Sequence, residues 1–384
     1  MKRIAIVAGE KSGDYLGAEI VKAIKVKHPD AQFCGLAGPL MQEAGVESLA
    51  EMDKISIMGF DGLWSSLREI LAIRKKLYTH FLKWQPDVFV GIDVPDFNLG
   101  LEIKLKKSGI PIAHCVSPTV WAWRGKRIHK IKRAINVMLA LFPFEADYYR
   151  SHQAPVRCIG HPLAKQVREW ALSSEFNQLA PKTKPIRIAI LPGSRMSEVS
   201  RLAGVMFVAA KQLQQSHPQV EFVVPAANRS LHAYMAELPE YDDSVVSIVD
   251  GFSRDVLASS DIAILASGTA ALEAALFAKP MVVLYKVSKF TAWYAGRTMQ
   301  VDHYSMPNHL TSPPAVREFV QEEANPENIV SEVTRLIDDA AYYATMHTAL
   351  AAIAPTLDLE TGSLVCDALE QLVNDKHAFE LQHD

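Results

Sequence analysis

Short apolar runs of β type alternate with helical segments along most of this chain. Ile4–Ala8, Val88–Ile92, Ile112–Val116 and Val137–Leu141 read as strands, with helical segments such as Ala18–Lys27 and Leu63–Trp84 between them. After Pro185 the pattern restarts with Ile186–Leu191, Val220–Val224, Val245–Val249, Ile262–Ala266 and Met281–Tyr285. Alternation of this kind means parallel sheets with crossover helices. From about Asn325 the chain is helical and offers no strand candidate.

Between the two sets of runs lies LSSEFNQLAPKTKP, Leu172–Pro185, which is polar, contains two prolines and has no apolar period. It is the linker candidate. The 384 residues are therefore expected to be α/β, with two Rossmann-like domains facing a cleft and a helical C-terminus. Residues 1–171 are expected to form the N-terminal Rossmann-like domain. Residues 186–350 are expected to form the C-terminal one. Residues 351–384 form C-terminal helices that pack back on the N-terminal half. Ligands on open α/β sheets bind at the carboxyl ends of the strands, so the turns that follow strands hold the candidate chemistry.

Composition narrows the function classes. The chain is 49% hydrophobic and 22% charged, with a formal net charge of -3. Bulk charge makes no case for nucleic acid. Cys34, Cys115, Cys158 and Cys366 are scattered without a C-x-x-C pair. This fits a reducing compartment and argues against a cysteine-rich metal site or a disulfide framework. The basic flank and apolar run at the start end quickly in a glycine turn, unlike a signal peptide. No uncharged apolar stretch is long enough to span a bilayer. A cytosolic protein is expected, with attachment to a membrane surface left open.

Five turns follow strands and carry unusual residues. AGEKSGD, Ala8–Asp14, has Gly9 and Gly13 for a close turn and Ser12 at the start of the next helix. It is neither G-x-G-x-x-G nor a P-loop, so NAD or ATP is weakly supported, and a plain strand-to-helix turn remains open. GIDVPDFN, Gly91–Asn98, puts Asp93 and Asp96 past a strand. Asp96 is the expected helix cap, and Asp93 the candidate base for a hydroxyl nucleophile. In SPTVWAWRGKRIHKIKRA, Ser117–Ala134, Trp121 and Trp123 run into Arg124, Lys126, Arg127 and Lys130 with almost no acid nearby. Either this is a solvated helix face, or it binds an anionic target such as a phosphate or a lipid surface. ILPGSRMSEVSRL, Ile190–Leu202, places Ser194 and Arg195 before a helix, where amides, dipole and guanidinium make an anion site. In ILASGTAALEAALFAKPMVVLY, Ile264–Tyr285, Ser267, Gly268 and Thr269 offer amides to a diphosphate. Glu273, one helical turn deeper, is the expected acceptor for a sugar diol, with a plain exposed helix position left open.

Taken in order, AGExSGD, GIDxPDFN, SPxVWAWR, LPGSR, ASGTAALE and Pro307-Asn308 resemble the lipid-A-disaccharide synthase family over nearly the whole chain. SPTVWAWR and ASGTAALE are the specific motifs. The resemblance implies an inverting glycosyltransferase of the GT-B type that joins UDP-2,3-diacylglucosamine to 2,3-diacylglucosamine 1-phosphate. The products it implies are lipid A disaccharide 1-phosphate and UDP. It implies no metal and no cofactor, and work at the cytosolic face of the inner membrane on an anionic lipid surface. By motif, Asp93 is the general base, and Arg195, Ser267, Gly268, Thr269, Glu273, Asn308 and Gln321 hold the donor, beside Ser194. Gly9, Ser12 and the segment from Trp121 to Lys130 are assigned to the acceptor phosphate or the membrane face. The chain departs from the family pattern at Pro313-Pro314, at Lys165-Gln166 and at Gly62-Leu63.

Other readings stay open: a different GT-B enzyme acting on UDP-GlcNAc or a lipid-linked sugar, or a non-catalytic lipid-binding paralogue. A nucleic-acid-binding protein ranks last. A homodimer is also left open. The stripe Leu63, Trp64, Leu67, Ile70, Leu71 and Ile73, followed by Arg74, Lys75, Lys76 and Lys83, is expected to be either an interfacial helix or a core-facing one.

Overall fold

A computed structural model describes residues 1–52, 55, 63–173, 185–288, 291–293, 299 and 301–379. The linker candidate lies mostly outside the described residues, as do the side chains of Leu63, Trp64 and Leu67. The chain forms two compact units. One comprises Met1–Pro162 with Leu357–Asp384, and the other Leu163–Thr356.

The first unit holds a seven-stranded parallel sheet in the order β3-β2-β1-β4-β5-β6-β7. Its strands are β1 (Arg3–Ala8), β2 (Gln32–Leu36), β3 (Val46–Ser48), β4 (Val88–Ile92), β5 (Ile112–Cys115), β6 (Val137–Ala140) and β7 (Val156–Cys158). Every residue of β4, β5 and β6 is buried. Both faces are covered, which is why these strands read as apolar runs, broken by His114 in β5. The covering helices include α1 (Lys11–Lys27), α2 (Pro39–Glu43), α3 (Leu63–Trp84), α4 (Pro95–Lys107), α5 (Ile128–Ala134) and α6 (Pro143–Ser151).

The second unit holds a six-stranded sheet in the order β10-β9-β8-β11-β12-β13. Its strands are β8 (Arg187–Leu191), β9 (Glu221–Ala226), β10 (Val246–Asp250), β11 (Ile262–Ala266), β12 (Met281–Tyr285) and β13 (Arg317–Val320). The helices of this part are α7 (Pro162–Ser173), α8 (Met196–Ser216), α9 (Arg229–Ala236), α10 (Ser253–Ser259), α11 (Thr269–Leu276), α12 (Met306–Leu310), α13 (Pro326–Asp338), α14 (Ala340–Ala351) and α15 (Ile353–Leu357).

Strand order reverses between β1 and β4 in the first sheet, and between β8 and β11 in the second. A ligand site on such a sheet forms outside the carboxyl ends at that reversal, where adjoining turns diverge to opposite faces.

The unit boundary falls at Pro162–Leu163, ahead of the 1–171 expectation. Helix α7 belongs with the second unit: Trp170 meets Phe277 edge-on at 5.5 Å, and Gln166 bonds Arg254. The last helix, α16 (Thr361–Asn374), lies along α1 in the first unit. Lys27 pairs with Asp367 at 2.5 Å and His28 with Glu370 at 2.7 Å. Among the described residues no single helix is long and apolar enough to cross a membrane.

Candidate functional site

In the first unit, the turns after β1 and β4 touch. Asp93 and Val94 both take left-handed backbone, with φ of 53° and 37°. For a β-branched residue such as Val94 this is strained, and the surroundings must hold it. The Asp93 amide donates to Cys115 O at 3.0 Å. Asn98 Nδ2 donates to Asp93 O at 2.9 Å. Gly9 lies beneath Val94: a Cβ there would be 2.8 Å from both Val94 methyls and 3.3 Å from Ile55. Among the described residues the Asp93 carboxylate has no hydrogen-bond or ion-pair partner. Ser12 is exposed in the first turn of α1.

Asp96 does not cap α4 as expected. The N-cap position is Val94, without a side-chain cap bond. Asp96 instead accepts from Arg127 Nη2 at 2.5 Å, a geometry that ties the basic segment to the Asp93 turn. Asp14, at the end of the first glycine turn, is buried and caps α2 by accepting from the amides of Leu40 and Met41 at 3.0 Å.

The basic-aromatic segment divides into inward and outward parts. Trp121 packs edge-on against Phe144 at 4.9 Å and donates to Glu145 Oε1 at 3.3 Å. Burial pushes the Glu145 carboxyl up to about 7, against the hydrogen bonds from Phe142 and Trp121 that favour its charge. Trp123 donates to Thr119 Oγ1 at 2.8 Å, and the Arg124 guanidinium covers its ring at 4.2 Å. Arg124 and Lys126 are exposed, while Arg127 and Lys130 are half-buried.

In the second unit, the turns after β8 and β11 line one pocket of about 490 Å³. Its walls include Ser194, Arg195, Glu198, Ser267, Thr269 and Glu273. Gly268 is exposed on its rim, and the amides of Gly268, Thr269 and Ala270 stand at the start of α11. A helix leaves its first N–H groups without an intrahelical partner, so this end favours an anion. Ser267 contributes less than expected: its amide donates to Leu284 O and its hydroxyl to Tyr304 O, both at 2.8 Å.

Two side chains that sequence patterns did not single out shape this pocket. Glu198 Oε2 accepts from the amides of Ser194 at 3.0 Å and Arg195 at 3.4 Å. The expected amide nest in that turn is therefore already filled by a carboxylate, and the Arg195 guanidinium, 79% exposed, is what the turn presents to solvent. Arg254 Nε donates to Glu273 Oε1 at 2.6 Å, and its Nη2 donates to Gln166 at the same distance. Glu273 is thus fixed through Oε1, and Oε2 has no partner among the described residues. A Glu three residues after a turn residue was the available signal for Glu198. Arg254 carries none, because its partners lie 19 and 88 residues away.

Asn308 and Gln321 are committed to the protein. Asn308 is buried; its Nδ2 donates to Val316 O at 2.9 Å and Glu318 Oε1 at 2.6 Å, and its Oδ1 accepts from the Val316 amide. Gln321 bonds both backbone groups of Val287 through its amide. Both residues brace loops beyond the strand ends.

A sequence profile described as Lipid-A-disaccharide synthetase matches residues 4–356. A lipid-A-disaccharide synthase of Pseudomonas syringae pv. syringae is 43% identical over 339 residues, covering 88% of this chain and 89% of that one. That of Aeromonas hydrophila is 40% identical, covering 96% and 98%. The chain belongs to the lipid-A-disaccharide synthetase family. It is a glycosyltransferase of lipid A disaccharide synthesis. The solved UDP-GlcNAc 2-epimerase of Neisseria meningitidis shares its fold, with a TM-score of 0.62 at 16% identity over 98% of this chain and all of that one. MurG of Acinetobacter baumannii does so with a TM-score of 0.61 at 15% identity, over 96% and 98%. The synthetase thus has the two-sheet α/β fold of GT-B enzymes.

The helix read as either interfacial or core-facing is largely a core helix. Ile70, Ile73, Leu77 and Phe81 are buried. Arg74 covers the Phe97 ring at 5.1 Å and donates to Asp96 O, while Lys76 donates to Leu49 O. The exposed face of α3 carries Leu71, Lys75, Leu82 and Lys83.

Proposed function

We propose that the enzyme condenses UDP-2,3-diacylglucosamine with 2,3-diacylglucosamine 1-phosphate, inverting the donor's anomeric carbon and releasing UDP. The observation that carries this reading is the pocket at the β8/β11 reversal, with a helix start, an exposed arginine and a half-open carboxylate on its walls. The start of α11 and Arg195 favour the negative charge that grows on the leaving diphosphate. Glu273 Oε2 accepts from a sugar hydroxyl of the donor. Asp93 takes the proton of the acceptor's 6-hydroxyl as that oxygen bonds the anomeric carbon. The bond to the diphosphate breaks, and its electron pair leaves with UDP. Asn308 and Gln321 act on the donor by shaping the loops around it.

The acylated substrates favour a protein that rests on an anionic bilayer, at the cytosolic face of the inner membrane. The exposed cations Arg124, Lys126, Lys75 and Lys83 of the first unit support this reading.

The test is turnover of UDP-diacylglucosamine with its 1-phosphate acceptor, read by mass spectrometry. The parent should give the β-linked disaccharide 1-phosphate and UDP. Asp93→Asn should be about 10²–10⁴-fold slower with UDP affinity unchanged. An epimerised UDP-sugar in place of disaccharide would overturn the reaction, and normal turnover by Asp93→Asn would overturn the base.

A further inference from the structure

Directly behind Asp93 the first unit buries a polar cluster that the chemistry above does not use. His114 on β5 and Glu102 on α4 have fully buried side chains, and His114 Nδ1 lies 2.6 Å from Glu102 Oε1. Asn98, one helical turn before Glu102, is also fully buried. All three converge on Gly91 of β4, two residues before Asp93. A Cβ at Gly91 would overlap Glu102 Oε1, and would stand 3.2 Å from His114 Nδ1 and 3.3 Å from Asn98 Cγ. The cluster therefore occupies the space that a side chain at position 91 would fill.

Such a cluster is costly. Glu102 Oε2, His114 Nε2 and Asn98 Oδ1 are buried and meet no partner among the described residues. An unpartnered buried polar atom has lost its hydrogen bonds to water with nothing in return. Replacing a buried charged pair by apolar side chains of similar volume is often neutral or stabilising. A sheet that buries all of β4 and β5 has no need of polar groups to hold together. What the cluster does reach is the strained turn: Asn98 Nδ2 donates to Asp93 O at 2.9 Å and to Ile92 O at 3.4 Å.

We propose that Asn98, Glu102 and His114 are positioning residues, which hold the left-handed Asp93–Val94 turn so that the Asp93 carboxylate faces the acceptor hydroxyl. Asn98 is the hand on the Asp93 carbonyl. Glu102 and His114, locked to each other against Gly91, fix the register of α4 on β4, and so the reach of Asn98. This rests on Asp93 being the base.

The test uses the full-length enzyme and four variants: Glu102→Gln, the pair Glu102→Leu/His114→Leu, Asn98→Ala and Asp93→Asn. Melting, UDP affinity, kcat and KM for both substrates are measured on each. UDP binding belongs to the other unit and reports how much protein is folded and active in binding. The cluster variants should lose about 10- to 100-fold in kcat, the scale for a base displaced by about 1 Å. Their KM values and UDP affinity should stay within about twofold of the parent, a split that general loss of structure does not produce. The leucine pair should melt no lower than the parent, so that its loss of turnover is not a loss of fold. In an Asp93→Asn background the cluster substitutions should cost nothing further. If the leucine pair is folded and turns over at the parent's kcat, the proposal is overturned while the Asp93 assignment stands. If Asp93→Asn is itself active, the base assignment fails, and the proposal with it.

Discussion

Replacing Glu273 by Gln separates its two roles in the donor pocket. The Glu273 carboxylate is 13% exposed and the Arg254 side chain 34%. The pair thus lies between the exposed case, worth about 0–1 kcal/mol, and the buried case, where removing one partner costs about 3–5 kcal/mol. Solvent reaches Arg254, and Gln166 still holds its Nη2, so about 1–2 kcal/mol is the expected loss of stability. For a unit of this size that is a fall of roughly 2–8 °C in melting temperature. The second role concerns ligand. Losing a charged acceptor for a sugar hydroxyl should weaken UDP binding by about 1.5–3 kcal/mol, or roughly 10- to 150-fold in Kd. Calorimetric melting with and without UDP, and titration of UDP into folded protein, measure the two effects apart. Arg254→Gln provides the control, since it gives up the ion pair and keeps the carboxylate. If Glu273→Gln binds UDP as tightly as the parent, per folded molecule, Glu273 serves only to hold Arg254 and the donor reading of this residue is refuted.

Gly9→Ala would drive a methyl into Val94, so turnover should fall at least about tenfold with UDP affinity unchanged, as expected when a misplaced base lies outside the UDP site. Steady-state kinetics beside UDP titration checks it. Glu145 is held protonated by burial up to about pH 7, above its value in the unfolded chain. Its contribution to stability is full below the unfolded value and is lost as pH rises through 7, so melting of the parent should fall between pH 5 and 8 more than that of Glu145→Gln. Lys126→Gln/Lys130→Gln should weaken binding to vesicles of anionic lipid, by about 1 kcal/mol per charge, with the difference shrinking in salt. Equal sedimentation of parent and variant with such vesicles would exclude this segment as the membrane face.

The buried strands were legible because burial on both faces writes a continuous apolar run: β4, β11 and β12 coincide with Val88–Ile92, Ile262–Ala266 and Met281–Tyr285. The strands without such a run are β2, β3, β7 and β13. Three of them close the edges of their sheets, and β3 and β7 have three residues each. A short, half-exposed edge strand needs few apolar residues, so its sequence resembles a loop. The site was legible in the same measure. The turns after β4, β8 and β11 carry Asp93, Arg195 and Thr269 where a strand end must give way to a helix. Invisible were the claims made on those turns from afar: Arg254 on Glu273 and Arg127 on Asp96. Each depends on tertiary neighbours, and spacing along the chain does not reveal which polar groups are already spoken for.

The way the polypeptide is divided has a consequence for synthesis. Leu163–Thr356 is an uninterrupted segment set inside a unit whose own residues come from both ends of the chain. During synthesis the inserted segment is made between the two parts of the other unit. Met1–Pro162 must wait for α16, which lies along α1 and follows the whole inserted segment. Until then the side of α1 that α16 covers is exposed. The half made first is therefore the half completed last. A chain cut short before Thr361 would leave that side of α1 exposed and prone to aggregate.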